Sequence, residues 1–247
     1  MAPGELARLV ALLCGATACS ALVSLDDLRQ PDASAGDAPN DNASDTTTND
    51  GPSNTIAFVQ VQYGVWSSGG QSFSMSVGEG HAVIVVVSNA NPGAVTVTDT
   101  MSNTYVSILN GPYSATDGGT LQLFAALNVK GGFTAIKISP PDGGTGTRFY
   151  AAEYAGITAF DKTATGSSQS TGTDGLATSS IVTTATPTLL FAYAEGLQDV
   201  SPGTGFTERS SFDSNVLEER IVTTPNSYTA TATLSGGTGD ILLASFH

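Results

Sequence analysis

The sequence has few of the residues that crosslink a fold or bind metals. It contains two cysteines, two histidines and one tryptophan among 247 residues. Both cysteines, Cys14 and Cys19, lie at the amino-terminal end. A domain formed by the rest of the chain therefore has no disulfide and depends on its hydrophobic core for stability. It also lacks the His and Cys cluster that a zinc site needs.

Basic residues are scarce, and this excludes one class of partner. The chain has eight lysines and arginines against 22 acidic residues, and its formal net charge is −14. The basic residues are scattered, so no cluster of them could neutralise the phosphates of a nucleic acid. We therefore expect no nucleic-acid partner. The acidity itself is typical of a soluble extracellular surface.

The chain has no apolar run of the ~20 residues that a membrane-spanning helix needs. A shorter apolar stretch, residues 9–18, ends at Cys19 and is followed by polar and acidic residues. Its length is that of the apolar part of an export signal. Residues 16–19, Ala-Thr-Ala-Cys, fit three of the four lipobox positions and thus resemble the signal peptides of bacterial lipoproteins.

This resemblance implies that residues 1–18 are a lipoprotein signal peptide and that Cys19 is lipidated. The mature protein would then be held to the outer membrane by its lipid anchor, facing the periplasm or the cell surface. The alternative is that a plain signal peptidase cuts after Ala18 and releases a secreted protein with one free thiol.

The next segment, residues 19–54, predicts a disordered acidic tether. It carries seven aspartates and one arginine, and it has no large apolar residue between Leu28 and Ile56. Such a stretch cannot bury enough apolar surface to offset the entropy cost of ordering its backbone. Repulsion between its charges would extend it away from the membrane.

Residues 55–247 predict an all-β domain. Threonine, serine, valine and glycine dominate, and apolar residues alternate with polar ones along many short segments. Gly, Pro, Asn and Asp clusters separate these segments, as hairpin turns require. The predicted strands lie near 55–63, 71–77, 82–88, 94–99, 104–109, 120–128, 133–138, 147–155, 178–184, 188–194, 205–211, 216–223, 227–234 and 240–246.

Two of these segments, 82–87 and 189–193, are apolar throughout and should be central strands covered on both faces. The last segment should be a core strand, and an early strand pairing with it would close the domain as in jelly rolls. Residues 95–105, 123–132 and 150–156 resemble a β-sandwich domain of many bacterial secreted and surface proteins. The resemblance implies a single antiparallel, jelly-roll-like sandwich over 55–247, used for adhesion or carbohydrate binding without a shared catalytic site.

Residues that could carry catalysis are few. His81 lies in a predicted turn and His247 at the carboxyl end. A Ser-His-Asp triad needs a histidine whose ring is fixed in position, and neither location predicts that. Glu153 lies inside an apolar strand, where a carboxyl group could act as a general acid. The favoured alternative is that an arginine (148, 209 or 220) or nearby hydroxyls and amides satisfy it. Glu218 and Glu219 should face opposite sides of a strand.

No catalytic and no metal-ligating residue is assigned. Calcium is the ion that extracellular sandwiches bind through loop aspartates, and a calcium site is one hypothesis for this chain. The alternative, and the commoner explanation, is that these aspartates only form turns. The aspartates in question are Asp99, Asp117, Asp142, Asp161, Asp174 and Asp213. Trp66 and Tyr113, beside predicted turns, could stack on a sugar ring, although a single Trp more often caps the core.

These patterns predict a non-enzymatic surface lipoprotein that acts as an adhesion or glycan-binding module, with a polysaccharide or a surface protein as its partner. A second hypothesis is an envelope structural protein that binds other proteins through an exposed strand edge. A third is a glycan-active hydrolase that uses Glu153 and a second acid.

Overall fold

A computed structural model of the protein describes residues 55–66, 70–91, 93–109, 113–114, 118–140, 146–168 and 175–247. Within these ranges the chain forms β-strands and no helix, and every strand pairing is antiparallel, as predicted. It follows that this part of the chain holds no helix able to cross a membrane. The predicted signal peptide, Cys19 and the predicted tether lie outside the described residues.

The strands fall into two halves of similar length. The first half contains β1 (Ala57–Trp66), β2 (Gln71–Val77), β3 (Ala82–Asn89), β4 (Thr96–Asp99), β5 (Val106–Ser107), β6 (Tyr113–Ser114), β7 (Thr120–Ala126), β8 (Gly132–Ser139) and β9 (Thr147–Ala155). The second half contains β10 (Phe160–Ser168), β11 (Gly175–Ala177), β12 (Ile181–Val182), β13 (Thr188–Gly196), β14 (Val200–Pro202), β15 (Thr207–Phe212), β16 (Asn215–Val222), β17 (Ser227–Tyr228), β18 (Thr231–Leu234) and β19 (Gly239–Phe246).

Each half forms one large and one small sheet. The first central sheet has the strand order β1-β9-β3-β7-β5, with β6 also paired to β7, and the first outer sheet has the order β2-β8-β4. The second central sheet has the order β10-β19-β13-β16-β15, and the second outer sheet has the order β11-β18-β14. A two-stranded ribbon, β12-β17, completes the second half.

The two halves repeat the same topology. Replacing β1, β9, β3, β7 and β5 by β10, β19, β13, β16 and β15 converts one central sheet into the other, and the outer sheets correspond in the same way. A β-bulge interrupts the edge strand at the equivalent residue of each half, Val59 and Asp161. A glycine also occupies equivalent positions, Gly64 and Gly166. These matches identify a structural repeat of about a hundred residues.

The two central sheets pack face to face and bury the largest side chains of the domain. Tyr150 and Tyr154 of the first central sheet lie in one cluster with Phe191, Tyr193 and Phe246 of the second. All five side chains are fully buried. We call this cluster the middle layer.

Each central sheet is also covered on its opposite face by its own outer sheet. Val85 of β3 packs in a cluster with Ile136 of β8, and Leu190 of β13 packs in a cluster with Leu234 of β18. Strands β3 and β19 are buried at every residue, and β13 at every residue except Gly196, which confirms the prediction that 82–87, 189–193 and the last segment are core strands. Because both central sheets are covered twice, the domain has four layers.

This arrangement differs from the expected single sandwich, which would have two sheets rather than five. Alternating strands and turns look alike in one sandwich and in two, so the sequence pattern could not separate them. The last strand, β19, pairs with β10 and β13 and not with an early strand of the domain. Strand β10 was not predicted, because Thr, Ala, Gly and Ser dominate it and its apolar alternation is weak.

We predict that Gly166→Ala destabilises the protein by about 1–3 kcal/mol, the range for overpacking. A Cβ atom at Gly166 would lie 1.9 Å from the backbone oxygen of Ala177, which a strand cannot accommodate without moving. At the control position Gly175 a Cβ atom would lie 3.7 Å from its nearest neighbour. Urea unfolding should therefore separate the two variants, and equal midpoints would contradict the prediction.

Candidate functional site

A polar cleft lies at one end of the middle layer and is lined by residues of both central sheets. Its volume is about 190 Å³. It is lined by Arg148 of the first central sheet and by three segments of the second half: Glu195, Gly196 and Leu197; Asp213, Ser214 and Asn215; and Thr238, Gly239 and Asp240. We call it the junction cleft.

Strand periodicity places the acidic side chains in this cleft. Glu195 and Asp240 are directly opposite each other in the pairing of β13 with β19. They follow the same alternation as Tyr193 and Leu242, which face the middle layer. Glu195 and Asp240 are 8% and 2% exposed, so both carboxyl groups lie beneath the surface of the cleft.

The hairpin turn between β15 and β16 forms another wall. Its two central residues, Asp213 and Ser214, have φ angles of 51° and 63°. Two successive positive φ angles match the twist of a two-residue hairpin, but glycine or asparagine usually supplies them. Non-glycine residues held in this region are strained and occur often at binding sites.

An ion pair and a hydrogen bond fix the positions of side chains in the cleft. Nε of Arg148 donates a hydrogen bond of 2.5 Å to Oδ2 of Asp213. Partial burial by itself would lower the pKa of Arg148, but the hydrogen bond and charge of Asp213 outweigh it and raise that pKa. Burial, and then the charge of Glu195, raise the pKa of Tyr193 well above its ordinary value. The Tyr193 hydroxyl therefore stays protonated and donates to Oε2 of Glu195 at 3.0 Å.

One polar group in the cleft has no partner among the described residues. Nδ2 of Asn215 makes no hydrogen bond to them, although Asn215 is only 3% exposed. Buried polar groups are almost always satisfied, and leaving one unsatisfied costs about 1–3 kcal/mol. An amide donor held in this way beside a cleft is suited to an acceptor atom of a ligand.

An aromatic ring lies close to the cleft. Tyr63 of β1 is 47% exposed, and its ring centroid is 5.1 Å from that of Phe212, the residue before Asp213. It also stacks on Tyr150 at 5.9 Å. Tyr63 therefore presents a half-exposed ring beside hydrogen-bonding groups, the combination that sugar-binding sites use.

Glu153 lies elsewhere and is fully hydrogen-bonded. Its Oε1 accepts from the backbone N–H of Gly78 at 2.7 Å and lies 2.6 Å from Nδ1 of His81, while Oε2 accepts from Gln60. The interpretation that amides satisfy this carboxylate is therefore confirmed, but none of the three arginines is its partner. The expectation that His81 is not held was wrong, because the turn brings it onto a buried acid.

Trp66 and Tyr113, the two residues predicted to contact a ligand, are not brought together. Trp66 is 9% exposed and stacks on Phe149 with a centroid distance of 4.4 Å, so it caps the layer between the first central and first outer sheets. Tyr113 is partly buried against the middle layer. Neither lines the junction cleft.

The three described aspartates among those considered for calcium have separate partners. Asp99 accepts hydrogen bonds from Asn103 and Tyr105, as a turn-forming residue does. Asp161 lies near Lys162, and Asp213 pairs with Arg148. Asp117, Asp142 and Asp174 lie outside the described residues. In the part of the chain that the structure describes, no three His, Cys, Asp or Glu side chains converge as metal ligands.

Sequence reasoning missed Glu195, Asn215 and Asp240. Each stands at the end of a strand beside glycine or a turn, where acidic and amide residues are common and carry no motif. The one available signal was the run Asp213-Ser214-Asn215, a polar turn without glycine between two strand patterns.

Comparison with known proteins identifies no relative. No family model matches the chain, and neither the curated proteins nor the solved structures yield a match. The resemblance to surface β-sandwich domains thus stays a prediction.

The adjacent acids Glu218 and Glu219 face opposite sides of β16, as predicted. Glu219 pairs with Arg209, whereas Glu218 is fully buried on the other face. One Glu218 oxygen accepts from the N–H of Gly203 at 2.7 Å, and the other has no hydrogen-bond partner in the part of the chain that the structure describes. Burial raises the pKa of Glu218 to about 7, against a smaller lowering by the Gly203 hydrogen bond.

We predict that Glu218 makes the protein less stable as the pH rises. Its pKa is higher in the folded than in the unfolded chain, so the stabilisation is complete below the unfolded value of 4.5 and is lost as the pH passes about 7. Glu218→Gln should flatten the dependence of Tm on pH between pH 5 and 8. Glu79→Gln, at an exposed position, should keep the original slope. Parallel curves for all three proteins would contradict the assignment.

Proposed function

We propose that the protein is a non-catalytic, outer-membrane-anchored surface lipoprotein whose folded part binds glycans in the junction cleft. The observation that carries this proposal is the unpartnered amide of Asn215 in a cleft with acidic side chains and Arg148. Sugars present many hydroxyl groups that both donate and accept, so they match a wall of carboxylates, an amide and a guanidinium.

The size of the cleft limits what it can hold. Its volume lies below the ~300–1,000 Å³ of drug-sized pockets, so it suits one sugar residue or a chain end rather than a long polymer segment. The half-exposed ring of Tyr63 offers a stacking surface for a neighbouring sugar. We interpret each half as a jelly-roll-like sandwich, which would make the domain a tandem of two such units.

The anchor supports a surface role. Fatty chains on Cys19 would fix the mature protein to the membrane, since each buried methylene contributes about 0.8 kcal/mol. The acidic segment before residue 55 would separate the domain from the bilayer, towards the periplasm or the cell exterior.

One observation favours the alternative of an envelope protein-interaction module. Strand β1 is an edge strand of ten residues, and its exposed side chains include Val59, Tyr63 and Val65. Long apolar edges can pair with a strand of another protein. Recovery of a stoichiometric protein partner after membrane extraction, lost in Val65→Lys, would favour this function. Sugar release from a polysaccharide panel would instead indicate a hydrolase.

We predict that the membrane-extracted protein begins at Cys19 and carries diacylglyceryl and N-acyl groups there. Mass spectrometry of the intact protein and of its amino-terminal peptide measures both. Cys19→Ser should abolish acylation and release the protein from the membrane fraction, whereas Cys14→Ser should not. An unacylated protein with Cys19 as a free thiol would contradict the anchor.

We predict that Arg148→Ala and Asn215→Ala each weaken glycan binding at least tenfold, because hydrogen bonds involving charged or buried groups contribute ~1.5–3 kcal/mol. A glycan array, run with calcium and with a chelator, identifies the ligand, and calorimetry on that ligand measures the loss. The control is Lys137→Ala, an exposed cation on the first outer sheet. Equal losses in all three variants, or none in the two cleft variants, would move the site elsewhere.

A further inference from the structure

The ionisable groups of the junction cleft have partners within the protein. Asp213 is paired with Arg148, and Glu195 accepts a hydrogen bond from the Tyr193 hydroxyl. The charges of Arg148 and Glu195 also attract each other. Glu195 and Asp240 have further interactions within the chain. The cleft therefore does not require a charged ligand to balance an isolated charge.

What the cleft does require is a hydrogen-bond acceptor. Nδ2 of Asn215 is a donor without a partner among the described residues, and Asn215 is 3% exposed. A ligand atom that accepts from it removes the cost of leaving a buried donor unsatisfied. An anionic acceptor is poorly suited, because the only cation among the described lining residues, Arg148, is already paired with Asp213. The acceptor should therefore be a neutral oxygen atom.

One side chain in the cleft is apolar and exposed. Leu197 is the only large apolar residue among the described residues that line the cleft, and it is 65% exposed. Its backbone N–H donates to the carbonyl oxygen of Thr238, and the N–H of Gly196 donates to that of Ser214. These bonds fix the backbone of Leu197 between the two neighbouring walls of the cleft. An apolar group of a ligand would lose contact with water there.

An acetamido group combines a neutral acceptor, a methyl group and a donor in one small unit. Its carbonyl oxygen would accept from Asn215, and its methyl group would contact Leu197. Its N–H would donate to Asp213, whose side chain is 43% exposed and whose carboxylate keeps lone pairs beyond the one that Arg148 uses. A hydroxyl group supplies no methyl group, and an ammonium group supplies no acceptor.

We propose that the junction cleft binds N-acetylated amino sugars, with Asn215 donating to the acetamido carbonyl oxygen and Leu197 packing on the acetamido methyl group. This inference rests on the proposed glycan-binding function and specifies its substrate class.

The test uses matched trisaccharides and calorimetry on the whole protein at about 0.15 M salt, which screens non-specific charge attraction. Trimers of N-acetylglucosamine and of N-acetylgalactosamine are each compared with two counterparts, in which a hydroxyl group or a free amine replaces the acetamido group. In at least one series the acetamido trimer should bind about tenfold or more tightly than both counterparts, because only it satisfies Asn215 and Leu197 together.

Variants at the two contacts test the assigned residues. Asn215→Asp removes the donor and should lower the ratio of acetamido to hydroxyl affinity to about one, and Leu197→Ser should lower that ratio about threefold or more. The matched control is Phe133→Ser, at a side chain of the first outer sheet that is 71% exposed, and it should leave the ratio unchanged. Because Leu197 is exposed, Leu197→Ser should keep the Tm of the unliganded protein and tests the inference even where Asn215→Asp lowers the Tm.

The outcomes separate the two proposals. Equal or tighter binding of the hydroxyl or amine trimers, a ratio that Leu197→Ser does not change, or array binding confined to glycans without an acetamido group would overturn this inference and leave glycan binding intact. Absence of binding to all of these trimers and to every glycan on the array would overturn the proposed function and the inference with it.

Discussion

The whole domain depends on two β-sheets whose inner strands expose neither face to solvent. Strands β3 and β19 are buried along their full length and β13 at all residues but Gly196, so the middle of each central sheet must be covered on both sides. Packing the central sheets on each other covers one side of each, and the outer sheets cover the rest. Because the described residues contain no cysteine, apolar burial has to supply the stability that disulfides supply in many exported domains.

The same packing creates the cleft. Aromatic side chains such as Tyr150 and Tyr193 fill the middle layer, but at one end the positions that face inward are Arg148, Glu195 and Asp240. These charged side chains do not fill the layer as the aromatic rings do, and a cleft lined by polar groups lies there. Arg148 and Asp240 occupy equivalent positions in the two halves, so the structural repeat brings both to one place.

Much of the strand pattern could be predicted from period-two alternation. The bounds of β2 and β9 agree with the prediction to the residue, and the two apolar runs are indeed central. Strand β10 could not be predicted, because an edge strand needs few apolar residues and β10 has mainly Thr, Ala, Gly and Ser. The ligand contacts proposed from the sequence stay predictions. Trp66, chosen because it stands beside a turn, stacks on Phe149 and lies outside the lining of the junction cleft.

The sequence by itself determined the all-β class, the buried strands and the net negative charge, because these follow from composition and from the spacing of neighbouring residues. Tertiary structure alone decided that the strands form four layers in two matching halves. It also decided that His81 meets Glu153, and that Asn215, Glu195 and Asp240 share one cleft. These residues are far apart along the chain, and strand register, which no local pattern records, is what brings them together.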